Sequence, residues 1–158
     1  MMYQLEVKRY LIELMFNPSD GWNVNVHIDP MEWGKGPQHK DGKKQRVVDA
    51  EKRLNELGVE IGVHPKYGKT DVVASHPKKG TFFIEVEGKS SKQKEQAIYS
   101  ALGQIVLLMS EDNSKVFYGL AAPDQLEWER QLKKVPRRVK ELLSLRCILV
   151  SEGNVREI

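Results

Sequence analysis

Acidic side chains lie inside stretches that otherwise read as buried strand. Thr70-Asp71-Val72-Val73-Ala74 and Phe82-Phe83-Ile84-Glu85-Val86-Glu87-Gly88-Lys89 are apolar, β-prone runs joined by Ser75-His76-Pro77-Lys78-Lys79-Gly80. Two such runs around a turn-rich link predict a β-hairpin. Charge within buried strands is costly unless it is paired or holds a metal. Alternation puts Glu85, Glu87 and Lys89 on one face and Phe82, Ile84 and Val86 on the other. A hairpin centred near Lys78 sets Asp71 opposite Glu85 and diagonal to Glu87, with Cβ separations of about 5 and 7 Å. Carboxylates at that spacing suit a hard divalent cation such as Mg2+, which prefers oxygen ligands, keeps several waters and often uses only one or two carboxylates. A lysine beside them can orient or deprotonate a water, or stabilise charge growing on a phosphate. The plainer alternative is a solvated strand face with a cross-strand ion pair. The apolar character of the hairpin, and of the long helix after it, weighs against that alternative.

The elements that must position these residues follow from periodicity. Residues 3–16 predict a helix with Leu5, Leu11, Ile12, Met15 and Phe16 on its apolar face, ended by Asn17-Pro18-Ser19-Asp20-Gly21. Trp22 to Ile28 alternates as a half-exposed strand, and Asp29 to Gly42 is a polar loop containing Trp33. Residues 43–57 predict a second helix with Val47, Ala50, Leu54 and Leu57 inward. Glu51 falls on that stripe, an unusual place for an acid; the bland account pairs it with Lys52 or Arg53. Val59 to His64 predicts a strand beside the hairpin. Residues 91–110 form the longest helix, with Gln104 at the edge of its apolar face. Val116 to Ala121 reads as a buried strand, Pro123 opens a helical region that Pro136 restarts, Arg146 to Val150 is a last core strand, and Val155 to Ile158 a short edge strand.

The hairpin resembles the PD-(D/E)XK nuclease superfamily: Asp71 heads one strand, and Glu87-Gly88-Lys89 ends the next after Phe-Phe-Ile-Glu-Val. Thr70 stands at a variable position where proline would be expected. The helix with Ala101-Leu102-Gly103-Gln104 and the strand Val116 to Ala121 follow in similar order, so the likeness spans roughly residues 43 to 158. It implies a three-layer α/β/α sandwich with a mixed central β-sheet, restriction-endonuclease-like. The single nuclease-like domain would cover residues 1–158, with an N-terminal helix, strand and basic loop in 1–42 and a core in 43–158. The implied activity is Mg2+-dependent endonucleolytic hydrolysis of phosphodiester bonds in DNA, with Mn2+ able to substitute. Asp71 and Glu87 would bind the metal, with Glu85 and the carbonyl of Gly88 as further ligands. Lys89 would position the attacking water or stabilise the pentavalent phosphate. The helix before the hairpin would add an acid: Glu51, with Asp49 as the fallback, or Glu6 or Glu13 if the first helix fills that role. Gln104 would face the site.

Net charge is only +3, which neither demands nor forbids a nucleic-acid partner. Local clusters are more informative: Lys35 to Arg46, Lys89 to Lys94, and Lys133 to Lys140. Such runs are usually solvated faces. Beside a carboxylate site, basic flanks are what a phosphate backbone needs, and Lys43, Lys44, Lys69 and Lys92 are the candidate DNA contacts. Cutting two strands favours two sites, so a homodimer or a separate specificity protein is expected. The same features fit two other classes, a non-catalytic nucleic-acid-binding module on this fold and a structural or assembly protein. The chain of 158 residues, 40% hydrophobic and 30% charged, suits one soluble domain. It shows no membrane-length run and no secretory signal. Its one cysteine, Cys147, excludes an internal disulfide and points to a cytoplasmic setting. No P-loop, dinucleotide fingerprint or metal-spaced histidine pair is present.

Overall fold

The computed structural model describes residues 1–33, 42–89, 93–109 and 115–158. Helix α1 (Gln4–Met15) buries Leu5, Val7, Leu11 and Ile12 along one side. Its first turn is capped by the Glu6 carboxylate, which accepts the Tyr3 amide at 2.7 Å. A 3-10 turn, Pro18–Asp20, leads to β1 (Asn23–Val26). Helix α2 (Lys43–Glu56) follows with Val47, Ala50 and Leu54 buried, and then the two-residue strand β2 (Glu60–Ile61). The hairpin is β3 (Val72–His76) and β4 (Gly80–Val86). Beyond it come α3 (Lys94–Leu108), β5 (Val116–Pro123), α4 (Leu126–Leu132), α5 (Arg137–Leu143), β6 (Leu145–Val150) and β7 (Val155–Glu157).

The strands form one mixed seven-stranded sheet in the order β2-β1-β3-β4-β5-β6-β7. β1, β3 and β4 are antiparallel in sequence across the sheet, whereas β4, β5 and β6 run parallel. A parallel neighbour needs a crossover, and α3 supplies it between β4 and β5. The sheet separates two cores. Val72, Ala74, Phe82, Ile84 and Val86 join α1 and α2 on one face; Val73, Phe83, Tyr118, Leu120 and Leu149 join α3 and α4 on the other. Each fully buried Leu, Ile or Phe contributes roughly 1.5–3 kcal/mol. Both faces of the hairpin are therefore packed, which is why its strands read as continuous apolar runs. No helix among the described residues is long and apolar enough to cross a membrane.

Several sequence expectations change. Val59 to His64 does not flank the hairpin. Only Glu60 and Ile61 form a strand there, and they pair with β1 at the outer edge of the sheet. Gly62 at φ +149° and the exposed Val63 end that strand early. β1 lies inside the sheet between β2 and β3, so Asn25 is buried and the expected half-exposed strand is covered on both faces. β1, from the N-terminal segment, thus belongs to the same sheet as the later strands. Pro123 is the last residue of β5 and does not start a helix; α4 begins at Leu126. The ends of the long helix expected over 91–110, and the basic stretch 34–41, reach beyond the described residues.

Candidate active site

The hairpin register pairs Val72 with Ile84, and one step further sets Asp71 across from Glu85. Asp71 stands in the bend just before β3. Its Oδ2 accepts the Val86 amide at 2.9 Å, replacing a backbone partner where β3 has not yet begun and β4 runs on. Gln4 Nε2 lies 3.4 Å from the same oxygen. The Asp71 main-chain carbonyl accepts the His27 amide at 3.0 Å, tying the bend to the end of β1.

The cation at Asp71 is Lys8, from α1. Its Nζ is 2.7 Å from Asp71 Oδ1. It also donates to Glu32 Oε1 and to the His27 carbonyl, each at 2.7 Å. An ammonium has three donors, and all are used. Lys8 is 0% exposed. Burial pulls its pKa down, but Asp71 and Glu32 more than reverse this and the net shift is upward. Burial pushes the Glu32 carboxyl up to about 7, against the pull of Lys8. The other Glu32 oxygen accepts the Asp29 amide at 3.1 Å.

Glu85 is buried on the far side of Asp71. Burial first, and then the charge of Asp71, to which it is hydrogen-bonded, push its carboxyl up to about 9. Both effects favour the protonated form of Glu85. Asp71 and Glu32 share a single ammonium and Glu85 adjoins Asp71, so full ionisation would leave the pocket with excess negative charge. Burial also lowers the pKa of the neighbouring His27, and Lys8 adds to that effect.

The remaining candidates are spread over both sides of the pocket. Glu87 is half-buried just past β4; its amide donates to the Ala121 carbonyl at 2.8 Å, and its charge helps raise Glu85. Lys89 lies three residues past the end of β4, where strand alternation no longer assigns it a face. Strand alternation stops at Val86, Gly88 is pressed beneath α1, and the Lys89 amide donates to the Met2 carbonyl at 2.8 Å. The Lys89 ammonium lies 5.2 Å from the Tyr3 ring centroid. Glu51 is half-buried on α2, whereas the helix that touches Asp71 is α1, through Gln4 and Lys8. Glu6 and Glu13 are on α1 but are bound by Arg46 and Arg53 of α2, at 2.7 and 2.5 Å. Asp49 is exposed and accepts Gln45 Nε2. Gln104 is on the exposed side of α3, between the buried Ala101 and Ile105. Lys69 is exposed and near enough to His27 to oppose its protonation. Lys43 and Lys44 occupy the first turn of α2; Lys92 lies outside the described residues. Of the third basic cluster, Lys133, Lys134 and Arg137 are spent on Glu129, Glu95 and Glu141.

Sequence reasoning missed Lys8 and Glu32. Lys8 carried a signal: it is three residues after Leu5 and four before Ile12, inside the apolar stripe of α1, where a charge is as anomalous as at Glu51. Glu32 carried none, since its loop has no periodicity to violate.

Among the described residues, no three His, Cys, Asp or Glu side chains gather closely enough to hold a metal by themselves. The pocket offers two juxtaposed carboxyl groups, Asp71 and Glu85. Carboxyl oxygens are the ligand type that Mg2+ takes, with water and main-chain oxygens completing its shell. No protein-family model, curated protein or solved structure matches the chain.

Proposed function

We propose that this protein is a Mg2+-dependent endonuclease hydrolysing phosphodiester bonds in DNA, on the PD-(D/E)XK framework that its hairpin resembles. The observation that carries the reading is the crowding of carboxyls in the buried pocket: Asp71 and Glu32 share one ammonium, Lys8, and Glu85 is packed against Asp71. Burial and the neighbouring Asp71 both disfavour an ionised Glu85, a condition that a bound cation would relieve. Further support comes from the order hairpin, α3, parallel β5, on which the restriction-endonuclease-like likeness rests.

Asp71 and Glu85 would hold Mg2+, or Mn2+ in its place, with Glu87 and the carbonyl of Gly88 at the rim. The ion would supply charge neutralisation at the phosphate and a more acidic water. Lys8 acts as a positioning residue. Buried and fully hydrogen-bonded, it fixes the position of Asp71. Glu85 holds the proton that metal uptake expels. Lys89, exposed beside Tyr3, would meet a phosphate backbone at the rim. The buried Cys147 fits a reducing, cytoplasmic compartment, and a homodimer or separate specificity protein would supply recognition of two strands.

Titration calorimetry with Mg2+ and Mn2+, beside cleavage of duplex, branched and single-stranded DNA, tests the proposal. Metal uptake and cutting are expected in the wild type and abolished in Asp71→Asn, with the fold retained. Equal activity in the two proteins would sink it. One observation favours a second reading, a non-catalytic nucleic-acid-binding module: the Lys8 ammonium already stands where a metal would meet Asp71 Oδ1. That reading predicts salt-dependent DNA binding with no metal uptake.

A further inference from the structure

Beside the carboxyl pocket, one aromatic ring gathers three positive charges. Tyr3 precedes α1 and is 6% exposed. Lys43 Nζ, the Arg46 guanidinium carbon and Lys89 Nζ lie 5.3, 4.8 and 5.2 Å from its ring centroid. They come from separate parts of the chain, the first turn of α2 and the exit of β4. Cations are drawn to an aromatic ring, yet three like charges around one ring repel unless an anion joins them. Arg46 has its anion: Glu6 accepts from Nε and Nη2 at 2.8 and 2.7 Å. Among the described residues, Lys43 meets the Met31 carbonyl at 3.4 Å and the ring, Lys89 meets the ring, and neither ammonium meets a carboxylate.

The patch is held in place by main chain. The Lys89 amide is bonded to the Met2 carbonyl, and Gly88 lies so close to α1 that a Cβ there would be 2.6 Å from Gln4 Cα. The next residue after Tyr3, Gln4, is the one that touches Asp71. The cationic patch and the acidic pocket are therefore neighbours across the first turn of α1. An anion approaching the pocket alone would be repelled by its carboxylates. A polyanion with charges at regular intervals can seat one charge on the patch while presenting the next to the pocket.

We propose that Tyr3, Lys43 and Lys89 form a phosphate subsite that binds a backbone phosphate of a nucleic-acid strand, next to the phosphate presented to Asp71 and Glu85. The nature of the strand rests on the nuclease reading above. Two ammonium groups supply donors only, so the ligand must be an acceptor-rich anion. Arg46, already neutralised by Glu6, shapes the patch without binding the ligand.

The test is fluorescence anisotropy of a labelled DNA duplex in EDTA, across a salt series from roughly 50 to 200 mM. Removing one lysine–phosphate pair should reduce the magnitude of the log K against log[salt] slope by about 0.9. Lys43→Gln/Lys89→Gln is expected to reduce it by about 1.8. A control with the same charge change, Lys133→Gln/Lys134→Gln, removes lysines already paired with Glu129 and Glu95 and should leave the slope unchanged. The single variants Lys43→Gln and Lys89→Gln, each expected to reduce the slope by about 0.9, keep the test decisive should the double variant unfold. A slope equal to wild type in the patch variants, an equal reduction in the control, or no binding by the wild type overturns the subsite. Binding in EDTA is independent of catalysis. A protein that takes up Mg2+ and cuts DNA with an unchanged slope keeps the nuclease reading and rules out the subsite. One whose slope falls in the variants but that takes up no metal does the reverse.

Discussion

Lys8 decides how the pocket behaves. Its removal leaves Asp71 and Glu32 buried without a counter-charge, and breaking a buried pair in this way typically costs about 3–5 kcal/mol. Lys8→Met should lower stability by that amount near neutral pH in urea titrations, with a smaller loss in acid, where the stranded carboxylates can protonate. Glu85 gives a second handle. Its ordinary value is 4.5 and its folded value about 9. Below 4.5 both the folded and unfolded chains hold the proton, and the contribution is fully present. Between the two values only the folded state holds it, so stability declines as pH rises and the contribution is gone above about 9. Glu32, raised to about 7, adds to the same slope over the lower part of that range. Glu85→Gln should flatten the decline in thermal melts recorded across that interval. Mg2+ uptake should release a proton at neutral pH, visible as a buffer-dependent calorimetric enthalpy.

At the scale of elements, the packing of α1 on the exit of β4 joins pocket to patch. Gly88 is there because nothing larger fits between β4 and the Tyr3–Gln4 main chain. Gly88→Ala should force the two apart and cost about 1–3 kcal/mol, read as a lower urea midpoint. Asp71 should separate from Gln4 in the same variant. Most elements were legible in the sequence, because amphipathic stripes and turn residues were strong: α1, α2, both hairpin strands, β5 and β6 fall where periodicity put them. The hairpin register was legible too, since the turn residues Pro77 to Lys79 leave little choice of centre. What was not legible is non-local. Alternation predicts a face for Lys89 only while the strand continues, and the packing of α1 against Gly88 ends it at Val86. The rank of β2 at the sheet edge depends on pairing with β1, which local pattern does not encode. The acid expected from a preceding helix was sought on α2, at Glu51 or Asp49, or on α1, at Glu6 or Glu13; α1 meets Asp71 instead with an amide and an ammonium.

The whole molecule is two cores back to back on one sheet. Trp22 sits in the core shared with α1 and α2, and Trp128 in the core shared with α3 and α4. The hairpin strands β3 and β4, and β6 beyond them, contribute side chains to both cores, so neither can dissolve while the other persists. Unfolding should be two-state. Variants whose fluorescence reports Trp22 alone and Trp128 alone should give coincident urea transitions. Separated midpoints would mean that the sheet couples the cores less tightly than its packing implies.

The sheet ends in β2, two residues long, on one side and in β7, three residues long, on the other. Edges that short offer few unpaired amides and carbonyls to an incoming strand. Growth of the sheet by strand addition, whether into a continuous dimer sheet or toward a fibril, is therefore disfavoured at both borders. Helix faces and side-chain surfaces are the better places for two copies to meet.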